Sequence, residues 1–170
     1  MELVIPTIEM KQAALDYRQE YFDHGEMAIH GDSGFDEAAT YEDWLDKLVE
    51  DLTRDDGYFV PATTYFGVVN GEIVGTLQIR HKLNDALRKG GGHIGFGIRP
   101  SRRRKGYATK MLTIALEKCR EMGIDEVLII CYKTNTGSAK TIINNGGVLD
   151  SEYVDDCGNV GQRYWVSTGP

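Results

Sequence analysis

Five basic side chains, Arg99, Arg102, Arg103, Arg104 and Lys105, crowd against Gly106 in the stretch RPSRRRKGYATKML, and an apolar helical pattern starts directly after them. Three chemistries suit such a run: a solvated charged face, a nucleic-acid patch, or a cradle for a phosphorylated ligand. The cradle uses the most features of the stretch. A helix N-terminus presents unpaired N–H groups and a partial positive charge, which together bind phosphate. Gly106 lets backbone approach a ligand without a side chain in the way, and Ala108 is small to the same effect. Arginine and lysine around the turn would add charge-assisted hydrogen bonds. Other phosphate motifs fit worse. GxxxxGK[ST] is absent, and GHIGFG lacks the GxGxxG spacing and ends in a strand instead of opening a helix.

Composition narrows the choice. The chain has 170 residues, a net charge of −7 and a sequence pI near 5.1. That balance suits one globular domain over residues 1–170 and disfavours general nucleic-acid binding, since an acidic surface repels phosphates. It would attract a basic or amine-bearing partner, small molecule or peptide. The three cysteines, Cys119, Cys131 and Cys157, show no CxxC spacing, so no zinc site or disulfide framework is expected and a reducing, cytoplasmic setting fits. The N-terminus shows no signal-peptide h-region, and no apolar run approaches the roughly 18 residues of a membrane span.

The elements that must hold the basic stretch can be read from periodicity. ELVIPT forms a first strand closed by Pro6. IEMKQAALDYRQEYFDHG reads as a helix with Met10, Ala13, Ala14, Tyr17 and Tyr21 on one face, and YEDWLDKLVEDLTRD as a second, with Trp44, Leu45, Leu48, Val49 and Leu52 inward. ATTYFGVV and EIVGTLQIRH flank Asn70-Gly71, a type I′ hairpin signal. KLNDALRKGGG is a loop or short helix, and HIGFGIRP a further strand. GYATKMLTIALEKCREMG is an amphipathic helix that buries Ala108, Met111, Leu112, Ala115, Leu116, Cys119 and Met122 and stops at Gly123. DEVLIICY is a continuous apolar strand, TNTGSAKTIINNGG a short helix, and VLDSEYVDD with GQRYWVS a closing hairpin. The order gives a mixed α/β sheet, not a regular βαβ array.

With its surroundings, Arg103-Arg104-Lys105-Gly106-Tyr107-Ala108 resembles the [RQ]-x-x-G-x-[GA] motif of the GNAT superfamily of N-acetyltransferases. IRPS precedes it as an aliphatic-x-Pro lead, and VLIICYKTNTGSAKTIINNGG follows as strand, Asn, short helix and glycine turn. The similarity covers roughly residues 62–166, with only the strand–helix–helix layout matching before that. It implies a central, mostly antiparallel sheet whose two parallel central strands splay apart, flanked by about four helices. It also implies acetyl-coenzyme A as acyl-donor co-substrate, with no metal. By position, Phe96, Gly97 and Ile98 would meet the pantetheine. The backbone amides of Arg103, Arg104, Lys105, Gly106, Tyr107 and Ala108 would hold the pyrophosphate, with Thr109 nearby and Asn135 and Ser138 beside the pantetheine. The remaining arginines would be rim contacts or solvated charge.

Acetyl transfer to an amine needs a proton acceptor, because a lysine-type amine has a pKa of about 10.4. It also needs an oxyanion donor, expected along Phe96, Gly97 and Ile98, and a proton for the departing thiolate. Many members of the superfamily carry a tyrosine four residues before the glycine that ends the short helix; here that position is Ile142. Tyr132 could replace it, or be a core or rim aromatic with the thiolate leaving unprotonated or taking a proton from water. His93 is the candidate base, with a structural bond to loop backbone as the alternative. Arg80 and His81 would line the acceptor cleft or be solvated strand ends. The missing tyrosine keeps a non-catalytic acyl-coenzyme A sensor in play. The resemblance also allows a homodimer through the closing hairpin.

Overall fold

Asn70 and Gly71 take φ of 50° and 79°, both left-handed, as a type I′ turn requires. They join β2 (Ala62–Val69) to β3 (Glu72–Arg80) in the computed structural model, which describes residues 1–169. β1 (Glu2–Val4) runs antiparallel along the outer side of β2. On the other side β3 pairs antiparallel with β4 (Ile94–Ile98). The chain then crosses over through a 15-residue helix to β5 (Glu126–Tyr132), parallel to β4. The hairpin of β6 (Val148–Val154) and β7 (Val160–Ser167) closes a seven-stranded sheet of order β1-β2-β3-β4-β5-β7-β6. One adjacent strand pair is parallel, so the sheet is mixed, as read from the element order, and mostly antiparallel, as the resemblance implies.

Five helices flank it: α1 (Lys11–Asp23), α2 (Tyr41–Asp51), α3 (Asp85–Gly90), α4 (Tyr107–Glu121) and α5 (Thr136–Asn144). The ambiguous KLNDALRKGGG stretch forms α3, capped by the Asn84 side chain accepting from the Leu87 amide at 2.9 Å. Helices α4 and α5 cover one sheet face. There Met111, Leu112, Ala115 and Cys119 pack on Leu77, Ile79, Ile94 and Ile129. Helices α1 and α2 cover the other, through Tyr17, Tyr21, Tyr41 and Trp44, joined by Phe35 from the loop between them, against Phe66 and Ile73.

The inward stripes differ from expectation at four positions, one of them Met122, which caps the C-terminal end of α4 and is 39% exposed. Ala13 is exposed beside the buried Ala14. Val49 and Leu52 are exposed because Asp51 turns inward instead, bonded to Ser33 and Lys47. A hydrophobic stripe cannot anticipate this, since a carboxylate goes inside only where the tertiary fold supplies partners.

Candidate functional site

The site begins where β4 and β5 stop being neighbours. Their one register pair is Ile94 with Ile129. Just before it, the His93 amide donates to the Leu128 carbonyl at 2.7 Å, and the Leu128 amide donates back to His93 Nδ1 at 2.9 Å. Beyond this point the strands part. The resulting cleft, about 1050 Å³, is lined by Phe96, Gly97 and Ile98 from β4 and by Ile130, Cys131 and Tyr132 from β5. On the cleft side the β4 backbone has lost its partner strand, so it offers an open edge.

At the far end of that edge lies the basic turn. Arg104 and Gly106 both adopt left-handed conformations, φ 62° and 78°, on either side of Lys105. Such alternation turns amides toward a common concavity that suits an anion, and α4 adds its unpaired first-turn amides. A Cβ built on Gly106 meets nothing within 4 Å, so a side chain there would project into cleft space.

The basic run is mostly tied up in ion pairs. Arg99 Nε bonds Glu20 at 2.5 Å, Arg102 Nη2 bonds Glu72 at 2.7 Å, and Arg103 grips both Glu26 oxygens at 2.6 and 2.7 Å. Arg103 Nε also donates to the Ile98 carbonyl at 2.9 Å. Its hydrogen bonds hold the Glu26 carboxyl below the usual carboxylate range. The Arg103 side chain therefore braces the turn against the segment after α1. Among the described residues Arg104 and Lys105 form no ion pair, and only Arg104 lines the cleft. Lys105, between the two left-handed residues, is exposed and is not among the cleft-lining residues.

The other expected contacts come together. Tyr107, Ala108, Thr109, Asn135 and Ser138 line the cleft with Arg103, Arg104 and Gly106. Asn135 caps α5, its Oδ1 accepting from the Ser138 amide at 3.1 Å, which leaves its Nδ2 as the group free to donate. Ile142 is fully buried in the core under α4 and α5.

The catalytic and acceptor candidates fare differently. His93 is buried away from the cleft lining. Burial, then the charges of Arg88 and Arg80, push its pKa down to about 4. Its Nδ1 is an acceptor for backbone, so the structural alternative holds and the base assignment does not. Tyr132 does line the cleft but is 46% exposed, and its hydroxyl donates to Asp155 at 3.0 Å; that bond raises its pKa. His81 Nε2 is paired with Thr63 Oγ1 at 2.8 Å outside the cleft. Arg80 lies on the α1–α2 face of the sheet, bordering a second cavity of about 520 Å³.

His30, Glu26 and Tyr153 were missed. The loop after α1 crosses β4 so closely that its glycines become necessary: a Cβ on Gly97 would stand 2.9 Å from the His30 carbonyl, and one on Gly31 (φ 75°) would overlap the Gly95 carbonyl. This crossing places the exposed His30 on the cleft wall. Tyr153 reaches it from β6, over Gly161, with the Arg163 guanidinium 4.4 Å from its ring centre. Among the described residues no group of three or more His, Cys, Asp or Glu is placed to hold a metal, and no helix is long and apolar enough to cross a membrane.

A model of the acetyltransferase (GNAT) family matches residues 15–142. The chain belongs to that family. The match begins before the expected start near Ala62, within α1, and ends at Ile142 in α5. No curated protein sequence matches the chain. Solved structures share the GNAT fold at low identity. A spermidine N-acetyltransferase SpeG mutant from Vibrio cholerae has TM-score 0.67 and 13% identity, over 99% of this chain and 95% of that one. The putative acetyltransferase yncA from Salmonella typhimurium, solved with its cofactor acetyl-CoA, has TM-score 0.66 and 13% identity over 99% and 94%. An acetyltransferase from Salmonella typhimurium that modifies the N-terminal serine of ribosomal protein L7/L12 has TM-score 0.68 and 15% identity over 97% and 93%. At these identities the GNAT likeness concerns the fold.

Proposed function

We propose that this chain is an acetyl-coenzyme A-dependent N-acetyltransferase that works by direct transfer in a ternary complex. The observation that carries the reading is the open β4 edge leading straight to the left-handed turn at Arg104 and Gly106. The donor supplies an activated acetyl thioester, and transfer forms one C–N bond as the C–S bond breaks. Amides of residues 104–108 and the Arg104 guanidinium hold the anionic end of the donor. The N–H and C=O groups of Phe96, Gly97 and Ile98 pair with its extended amide arm, and an N–H on this edge steadies the developing oxyanion.

An amine reaches the split from the α1–α2 side, where His30 stands on the wall. Its imidazole has no side-chain hydrogen-bond partner among the described residues, which leaves a ring nitrogen open to accept the proton of the amine. Cys131 also lines the cleft, but burial pushes its thiol up, away from the thiolate that a covalent relay would need. With Ile142 sealed in the core, α5 offers no tyrosine to protonate the departing sulfur, and water serves.

Labelled acetyl-coenzyme A incubated with pooled amines and peptides tests the reading: acetylated product is expected. His30→Ala should lower kcat about 100-fold with the donor Kd unchanged; an unaltered kcat would remove His30 from the mechanism. The buried Ile142 favours a second reading, an acyl-coenzyme A sensor. That reading predicts tight binding, with the thioester intact after long incubation.

A further inference from the structure

Residues of β3 alternate between the two sheet faces. Leu77 and Ile79 enter the core under α4, while Thr76, Gln78 and Arg80 face the α1–α2 side. Thr76 is covered: Tyr17 Oη lies 3.1 Å from its hydroxyl, which donates to the His30 carbonyl at 3.0 Å. The aromatic core of α1 and α2 stops there. Gln78 and Arg80 instead form the floor of the second cavity, with Tyr58, Phe59 and Leu87 as apolar walls. Gln78 has one weak partner, Thr64 at 3.5 Å.

The charges in this cavity do not balance. Its lining holds Lys47, Arg80 and Asp51. Asp51 is already satisfied by Lys47 and Ser33, both at 2.7 Å. Arg80 Nη1 donates to the Gly91 and Gly92 carbonyls, each at 3.1 Å, and among the described residues it meets no carboxylate. Burial alone moves its pKa, downward, as expected of a guanidinium without a counter-charge. The cavity is also next to the chemistry. Gly90 lines both it and the donor cleft, and a Cβ on Gly95 would stand 3.9 Å from Arg80 Nη2.

We propose that the second cavity takes the acceptor, and that the acceptor is an amine that also carries a carboxylate, held by Arg80 with Gln78 beside it. This rests on the transferase reading above and narrows its substrate class. A volume of about 520 Å³ suits an amino acid or similarly small molecule. The planar guanidinium is matched to a carboxylate, and the local charge of the cavity opposes the overall negative charge that would draw in polycationic amines. The same positive surroundings favour the neutral form of a nearby amine, the form that attacks.

The test is a panel of amino acids, each set against the amine left when its carboxylate is removed, assayed with acetyl-coenzyme A by thiol release. Members that keep the carboxylate are expected to react with kcat/KM higher by about 10- to 100-fold, the effect of a hydrogen-bonded charge pair. Arg80→Gln should erase that preference through KM, Arg80→Lys should restore part of it, and the Kd for acetyl-coenzyme A should hold in both. Equal or better turnover of the carboxylate-free amines by the unmodified protein would overturn the inference and leave the transferase reading standing. Donor binding without transfer to any member would overturn the inference, and only a further failure with the pooled amines and peptides would overturn the transferase reading. The paired panel needs no variant, so it decides the matter even if the Arg80 substitutions fail to fold.

Discussion

Gly106→Val is expected to weaken acetyl-coenzyme A binding by about 100-fold, the scale set by losing charge-assisted hydrogen bonds. Gly106 is left-handed at φ 78° and precedes Tyr107, the first residue of α4. A β-branched residue there disfavours this conformation by roughly 1–2 kcal/mol or more, so the turn relaxes and its amides swing out of line. The added side chain also projects into the cleft, where nothing of the protein stands within 4 Å. Both effects fall on ligand binding, while the core under α4 is untouched. Calorimetric titration reads the Kd, and a urea midpoint lowered only modestly shows that the fold survives. Gly106→Ala should fall between the two, because it carries the conformational penalty with less bulk. An unchanged Kd for both variants would mean that the anionic end of the donor lies elsewhere.

The parts of this site that sequence reveals are those fixed by local backbone chemistry. The Asn70-Gly71 hairpin and the start of α4 at a glycine each need a particular residue type within a few positions, so spacing alone exposes them. The contacts it hides join distant segments. The grip of Glu26 on the Arg103 side chain, across 77 positions, leaves no local signal. His93 looks like a base because imidazole titrates in a useful range, but the sheet buries it and gives its Nδ1 to a backbone amide. His30 gives no signal, because its place on the cleft wall depends on glycines in β4 that let a loop cross. Arg80 is half legible: it was expected beside the acceptor, yet only the fold shows that its charge is uncompensated.

His93 yields the second large effect, in stability. It sits where the two central strands part, and its Nδ1 replaces the carbonyl that would otherwise accept the Leu128 amide. His93→Ala leaves that buried N–H unpaired and opens a small cavity, at a cost of about 2–4 kcal/mol. His93→Gln, which still offers an acceptor oxygen, should recover part of it. The pH dependence separates these roles. In the folded protein burial depresses the His93 pKa to about 4, whereas the unfolded chain takes up the proton near pH 6.5. The unfolded state therefore binds more protons between those values. The contribution of His93 is fully present above about pH 6.5 and is lost as pH falls toward 4, amounting to about 2 kcal/mol once solvent screening is allowed for. Urea denaturation at about pH 7 and about pH 5, compared between the unmodified protein and His93→Gln, reads this directly. The unmodified protein should lose more stability over that interval. Parallel losses would show that His93 takes up its proton as readily in the fold as in the unfolded chain, so the Leu128 amide would not be holding its Nδ1 against protonation.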